Sequence, residues 1–168
     1  LALLFGLNLA LTPKAKACRG MFWEIEGNGG TIYVLGSVHF AKPDIYPLPE
    51  NMQSAFAAST AVVVEADVSS ADQAQLTQLT MEKGMYNDGR TVMDTLKPET
   101  LQKLKDFGLD PAMVGPMRPW LLAMTVQVQA MTALGFRPEL GVDMHFLNRA
   151  KTEGKQILEL ESVAYQYD

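Results

Sequence analysis

The chain has 168 residues, 48% apolar and 20% charged, which excludes a disordered chain and allows one domain with a hydrophobic core. Its formal net charge of -5 and its lack of a basic run argue against nucleic acid as a partner, because phosphate binding needs clustered Lys and Arg. Its single cysteine, Cys18, excludes an internal disulfide.

The first 17 residues predict a partial signal peptide. Residues 1–12 are apolar, uncharged and too few to span a bilayer as a helix, and Ala15-Lys16-Ala17 has the small-x-small pattern of a cleavage site. We therefore expect a secreted or periplasmic protein with no membrane span in the mature chain. Because the chain starts with Leu and has no basic n-region, we expect its true start to be missing. The alternatives are an N-terminal helix packed on the domain and, as a minor one, lipoprotein anchoring through Cys18.

The elements begin with a hairpin that leads to a histidine. Residues 22–26 and 31–35 are β-prone runs around a turn of Gly and Asn, which predicts a β-hairpin. The second run ends in Gly36-Ser37-Val38-His39, and a strand that ends this way delivers a side chain to the rim of a sheet, where ligands sit. From this stretch alone, His39 is either a site residue or an ordinary loop histidine. The three prolines in residues 43–49 predict an extended loop after it.

A second strand is predicted soon after this loop. Residues 50–59 predict a helix, and the continuous β-branched run in residues 61–66 predicts a strand that is covered on both faces. Strand, helix and strand over this length predict a right-handed βαβ unit, whose parallel strands would bring His39 and Glu65 to one edge of the sheet. Glu65 directly follows three valines, a position where an unpaired carboxylate is costly, which favours a role at the site. The alternative is that Glu65 simply marks the point at which the strand meets water.

The rest of the chain predicts helices and one further strand. The helix over residues 121–134 is apolar on most of its circumference, which is typical of a helix buried in the core. The expected fold is α/β, a mixed sheet with an N-terminal hairpin, a parallel βαβ core and several covering helices. The other predicted helices cover residues 69–83, 91–96, 98–107 and 141–154, and the last parallel strand covers residues 155–161.

Several charged residues lie at the ends of these elements. Arg118 precedes the predicted buried helix, where a cation needs an anionic partner. Asp143 falls within the apolar stripe of its helix and His145 lies about 200° round from it, so a regular helix cannot point both into one site. Asp143 is then either an N-cap or a buried carboxylate that pairs with a cation such as Arg118, and His145 is a flanking or surface residue or a ligand. Glu161 would reach the same edge of the sheet as His39.

The chain contains five motifs that together suggest a family: Gly36-Ser37-Val38-His39, Val63-Val64-Glu65, Arg118-Pro119-Trp120, Gly141-Val142-Asp143 and Leu160-Glu161-Ser162. They occur in the order seen in the TraB/GumN family, which the chain resembles from about Phe22 to its last residue. That family is similar to the Tiki proteins, described as metal-dependent proteases, and more distantly to ChaN-like and erythromycin-esterase-like proteins. The resemblance implies an α/β domain with a divalent metal, for which Mn or Co is suggested.

The resemblance also implies roles for particular residues. His39 and Glu65 would be metal ligands or catalytic groups, and Arg118, Asp143 and Glu161 would line the pocket. Family members usually continue further and carry a second Gly-x-x-His, which this sequence lacks. We therefore expect residues 18–168 to be the N-terminal portion of such a domain, truncated at both ends.

Two functions from different classes follow. The leading hypothesis is a secreted metal-dependent hydrolase, a peptidase of the TraB/GumN-Tiki type, in which a metal lowers the pKa of a bound water. Its catalytic residues would be His39, Glu65, Arg118 and Glu161. Glu65 would be a metal ligand with His39 or the general base, and Arg118 would hold a substrate carboxylate or stabilise negative charge. The alternative is a non-catalytic protein of the same fold that sequesters a peptide or a small ligand.

Overall fold

The computed structural model of the protein describes residues 21–70 and 73–167, so the predicted signal peptide of residues 1–17 and Cys18 lie outside the described residues. The described residues confirm the predicted α/β class with an N-terminal hairpin. The strands are Phe22–Gly27 (β1), Gly30–Leu35 (β2), Ala61–Val64 (β3) and Gln156–Glu159 (β4). The α-helices are Glu50–Ala58 (α1), Gln73–Gly84 (α2), Pro98–Asp106 (α3), Pro111–Val114 (α4), Pro119–Ala133 (α5) and Val142–Glu153 (α6).

These elements form two compact units. The first contains the chain up to Glu65 together with Phe136–Leu160, and the second contains Ala66–Gly135 together with the chain from Glu161. The first unit therefore holds β1 to β4, α1 and α6, and the second holds α2 to α5. In the part of the chain that the structure describes, no helix has both the length and the apolar character needed to cross a bilayer.

The N-terminal hairpin forms where the sequence predicts it. Strand β1 pairs antiparallel with β2, in a register that places Phe22 opposite Leu35 and Gly27 opposite Gly30. Gly30 adopts a φ of 132°, a conformation that L side chains rarely adopt, so the glycine-rich turn suits this tight connection. The loop after β2 is not fully extended, because Pro43–Ile45 form one turn of 3-10 helix. Pro43 tolerates that turn because its missing N–H lies at the first helical position.

The parallel strands are β3 and β4. Val62 lies opposite Ile157 and Val63 opposite Leu158, so the prediction of a parallel final strand is confirmed. The expected pairing of β2 with β3 is wrong, since in the described residues β2 pairs with β1 and β3 with β4. The prediction that β3 is covered on both faces is also wrong, because Val63 is 56% exposed. A sheet of only two strands packs one face on the helices and leaves the other open.

The core of the first unit lies between α1, α6 and the strands. Phe56 of α1 and Phe146 of α6 bring their ring centroids within 5.2 Å, and Val62 and Ile157 pack against the same cluster. Fully burying a side chain of this size stabilises the fold by about 1.5–3 kcal/mol. Both helices show the predicted apolar spacing. Their buried residues in this core are Met52, Ala55, Phe56, Val142, Phe146 and Ala150.

The core of the second unit is smaller and covers α5 on one side only. It consists of Val92, Leu104, Val114 and Leu122, with partly buried neighbours around them. The prediction that α5 is buried in the core is wrong, because Leu122 is its one buried residue and Met124 is 54% exposed. Leu104 of α3 and Val114 of α4 belong to the same buried cluster as Leu122 of α5.

Candidate functional site

The loop that carries His39 is attached to the start of α6. The N–H of Val142 donates to the carbonyl oxygen of Val38 at 2.9 Å, which satisfies one of the free donors at this helix terminus. On the other side of His39, Ala41 and Arg137 exchange two backbone hydrogen bonds of 3.1 and 2.9 Å. These bonds flank His39 in sequence and hold its backbone against the beginning of α6.

The side chain of His39 is bonded to Asp143. His39 Nδ1 lies 2.6 Å from Asp143 Oδ2, and because an ionised carboxylate only accepts, the imidazole nitrogen donates. The His39 side chain is 72% exposed and that of Asp143 is 24% exposed. With Nδ1 donating in this bond, Nε2 of the neutral imidazole keeps a lone pair. That nitrogen can accept a proton or bind a metal ion.

Gly141 allows this close approach. A Cβ at position 141 would lie 2.6 Å from Asp143 Oδ1 and 2.7 Å from the carbonyl oxygen of His39, distances that real Cβ atoms do not show. Gly141 is also the N-cap of α6, with an extended backbone that any residue could adopt. The glycine is therefore required for space rather than for backbone conformation.

Tyr46 packs beside the same helix terminus. Its hydroxyl donates to the carbonyl oxygen of Leu140 at 2.8 Å. Burial raises the pKa of Tyr46, and the negative charge of Asp143 raises it further. The Asp143 carboxylate thus influences two aromatic side chains from the loop after β2, one by a hydrogen bond and one by its charge.

His145 lies on another side of α6. Its ring centroid is 5.1 Å from those of Tyr46 and Phe146, and its Nε2 is buried without a hydrogen-bond partner among the described residues. Burial lowers the pKa of His145, and the charge of Arg149 lowers it further. His145 lines an open depression of about 410 Å³ beside Tyr46 and Arg149.

Asp143 and His145 therefore face different surroundings, as the helical angle between them predicts. The role of N-cap is wrong for Asp143, because Gly141 is the N-cap of α6. The other suggested role, a carboxylate that pairs with a cationic side chain, is filled by the imidazole of His39 at 2.6 Å. No spacing rule joins residues that are 104 positions apart, so sequence pattern did not predict the hydrogen bond between His39 and Asp143, although the family resemblance placed both residues at the site. A glycine directly before the helix was the nearest available signal of a close approach.

Of the other predicted site residues, Glu65 belongs to the first unit and is not bonded to this pair. Glu65 is exposed directly after β3, and in the described part of the chain its side chain makes no hydrogen bond or ion pair. Arg118 and Glu161 belong to the second unit. Arg118 Nε donates to the carbonyl oxygen of Met85 at 3.3 Å, and Glu161 accepts from Gln166 Nε2 at 3.1 Å. Across residues 21–70 and 73–167, no group of three or more His, Cys, Asp or Glu side chains is arranged to hold a metal ion.

The chain is similar to proteins of one family. The model of the TraB/PrgY/gumN family matches residues 21–168. Two curated relatives, both described as uncharacterized protein YbaP, come from Escherichia coli (strain K12) and Shigella flexneri. Each is 29% identical over 138 residues, which cover 80% of this chain and 49% of the relative. The chain thus spans about half the length of the curated relatives it matches. No solved structure matches it.

Proposed function

Because the chain belongs to the TraB/PrgY/gumN family, we propose that it forms part of a metal-dependent hydrolase that cleaves peptides. The observation that carries the proposal is the His39–Asp143 pair, an exposed imidazole held by a carboxylate at 2.6 Å. Histidines that act as metal ligands or as general bases are commonly oriented in this way. The choice of a peptide substrate and of a metal rests on the resemblance to the Tiki proteins.

His39 meets the requirement for one metal ligand. Its Nδ1 is bonded to a carboxylate, which fixes the ring, and Nε2 of the neutral imidazole keeps a lone pair. Glu65 would supply a second ligand, since its exposed carboxylate is not engaged by any other described side chain. A catalytic site commonly takes three protein ligands, and the described residues do not assemble such a group. The fit that the structure supports is therefore limited to His39, and Glu65 is proposed from the family motif that contains it. A divalent ion, when bound, supplies Lewis acidity toward a scissile carbonyl.

The remaining roles belong to the chain's own residues. Asp143 orients the imidazole and fixes its tautomer, as a carboxylate does for a catalytic histidine. Arg118 and Glu161 are proposed as further site residues on the basis of the family motifs that contain them. Export of the protein, with residues 1–17 removed, is proposed from their composition, and the N-terminal sequence of the mature protein tests it.

The test replaces each proposed ligand and measures both metal and turnover. His39→Ala and Glu65→Gln should each lower the bound divalent metal, measured by inductively coupled plasma mass spectrometry, and abolish metal-dependent cleavage of a peptide library. Glu82→Gln is the matched control, because Glu82 is an exposed carboxylate on α2. Wild-type metal content and turnover in either ligand variant would overturn the proposal.

The same experiment separates the alternative function. A protein that is purified without metal, does not cleave peptides and still retains them would be a sequestering protein of the same fold. That result would contradict the hydrolase and leave the family assignment unchanged.

A further inference from the structure

Tyr46 joins the loop after β2 to the turn that precedes α6. Its hydroxyl donates to the carbonyl oxygen of Leu140 at 2.8 Å and also lies 3.4 Å from the carbonyl oxygen of Gly141. Leu140 ends a short 3-10 helix, and Gly141 is the N-cap of α6. The hydroxyl thus contacts both carbonyl groups that lead into the first turn of α6, which carries Asp143.

Hydrogen bonds of two kinds hold this turn against the loop. Backbone bonds form the first kind: Val142 N–H donates to the carbonyl oxygen of Val38, and Ala41 and Arg137 exchange two bonds. Most substitutions leave these donors and acceptors in place, because every residue except proline carries both groups. The bond from Tyr46 is of the second kind, since a side chain supplies the donor. Replacement by phenylalanine removes that donor alone.

The turn cannot shift without affecting the Asp143 carboxylate. A Cβ at position 141 would lie 2.6 Å from Asp143 Oδ1 and 2.7 Å from the carbonyl oxygen of His39, so Gly141 lies close to both. Asp143 Oδ1 is buried and has no hydrogen-bond partner in the described part of the chain. The bond between Asp143 Oδ2 and His39 Nδ1 is the contact that engages this carboxylate, and the position of the turn decides whether it can form.

The ring of Tyr46 has a separate role in packing. It is partly buried against the core of the first unit, and its centroid lies 5.1 Å from that of the His145 ring. A phenylalanine at this position keeps the same ring and can keep both contacts. It leaves the carbonyl oxygen of Leu140 without its donor, which favours a movement of the turn toward another partner such as water.

We infer that Tyr46 is a positioning residue for the His39–Asp143 pair. Its hydroxyl fixes the turn before α6 and thereby directs the Asp143 carboxylate at the imidazole. Tyr46 therefore acts on His39 through Asp143 and not by a contact of its own hydroxyl with the imidazole. Its importance for catalysis rests on the proposed function, which this inference deepens.

The test follows the tautomer of His39 and not turnover. In Tyr46→Phe, the ring ¹⁵N shifts should show that the ratio of the Nδ1–H form to the Nε2–H form has fallen about fivefold, the effect of one ordinary hydrogen bond. In Asp143→Asn, which already lacks the carboxylate, the addition of Tyr46→Phe should cause no further change. An unchanged ratio in Tyr46→Phe, or an equal further fall in the Asp143→Asn background, would overturn the inference.

Tyr33→Phe is the matched control. Tyr33 packs against the same core and lies opposite Glu24 in the hairpin, so its hydroxyl belongs to another part of the unit. This variant should keep the wild-type tautomer ratio. A fall as large as that in Tyr46→Phe would contradict a specific role for the Tyr46 hydroxyl.

A measurement on the wild-type protein serves if Tyr46→Phe does not fold. The hydroxyl proton of Tyr46 should exchange with water more slowly than that of Tyr165, which is 67% exposed. Equal exchange rates would contradict the inference. Neither experiment measures metal binding or turnover, so a protein that keeps the Nδ1–H form and cleaves no peptide contradicts only the proposed hydrolysis.

Discussion

At the scale of single residues, the His39–Asp143 hydrogen bond is the feature that distinguishes this chain from an ordinary α/β domain. An exposed histidine on a loop normally samples several rotamers, and its two ring nitrogens exchange the proton freely. Here a carboxylate at 2.6 Å selects one rotamer and places the proton on Nδ1. Any function of Nε2, as a ligand or as a base, therefore depends on Asp143.

Asp143→Asn tests this dependence. The amide keeps the shape of the side chain but replaces the carboxylate that orients the imidazole with a neutral, weaker acceptor, so metal affinity or peptide turnover should fall by about 10–100-fold. The unfolding free energy should change little. Measurement of the His39 ring ¹⁵N shifts should show a loss of the Nδ1–H form. Asp44→Asn, at an exposed carboxylate on the same loop, is the control and should behave as wild type.

Gly141→Ala tests the space between the loop and α6. The added Cβ would meet backbone and carboxylate oxygens at 2.6–2.7 Å, so the His39 loop must move. Overpacking of this kind typically costs about 1–3 kcal/mol of unfolding free energy, which urea denaturation measures. Gly29→Ala is the matched control, because nothing lies within 4 Å of a Cβ there. Equal free energies of unfolding for the two variants would show that the His39 loop can move away from position 141 without loss of stability.

At the scale of elements, α6 connects the candidate site to the core of the first unit. Its buried stripe of Val142, Phe146 and Ala150 packs inward. Asp143 in its first turn contacts His39, and His145, on another face of the helix, contacts Tyr46. One helix thus determines where the site residues lie, because its rotation is set by the apolar stripe.

His145 makes the stability of this element depend on pH. Its folded-state pKa is lowered, by burial first and by Arg149 second, below the unfolded value of about 6.5. The unfolded state therefore binds more protons in acid than the folded state does. The contribution of neutral His145 to the free energy of unfolding is present above pH 6.5, and it is lost as the pH falls below this unfolded-state pKa of about 6.5. Tyr46 and Arg149 face the ring, and Glu139 and Glu153 line the same depression.

The measurement compares wild type with His145→Gln between pH 7.5 and 5. The unfolding free energy of wild type should fall more steeply than that of the variant over the acid part of this range, as followed by urea denaturation at each pH. Parallel curves would contradict a lowered pKa for His145, since other titrating groups are the same in both proteins.

At the scale of the whole molecule, two cores of different size support the two units. The core of the first unit joins helices and strands through Phe56, which is 6% exposed. Arg149 Cζ and Lys155 Nζ lie 4.2 and 5.0 Å from the centroid of its ring. The core of the second unit is built from four buried residues on helices and turns. The chain thus places the His39–Asp143 pair on its more extensively packed unit.

Phe56→Ala tests the importance of that core. Removal of a buried phenylalanine that contacts Phe146 should lower the unfolding free energy by about 3–5 kcal/mol, measured by urea denaturation. Phe107→Ala, at a phenylalanine of the second unit that is 39% exposed, should cost clearly less. A larger loss in the control would show that the second unit limits stability.

The sequence alone determined the local elements of this protein. The hairpin around Gly27-Asn28-Gly29-Gly30, the stripes of α1 and α6 and the parallel final strand follow from short-range periodicity and turn chemistry, which act between neighbouring residues. The order of the motifs also predicted the family, which the match over residues 21–168 confirms.

Only the tertiary structure decided which strands pair and which charges meet. A continuous valine run is compatible with one or two covered faces, and the exposure of Val63 depends on how many strands join the sheet. Asp143 could have bonded to any cation within reach. Its choice of His39 follows from backbone bonds and from the space left by Gly141, which bring together two segments far apart in sequence. Long-range packing leaves no periodic trace in the residues that it joins.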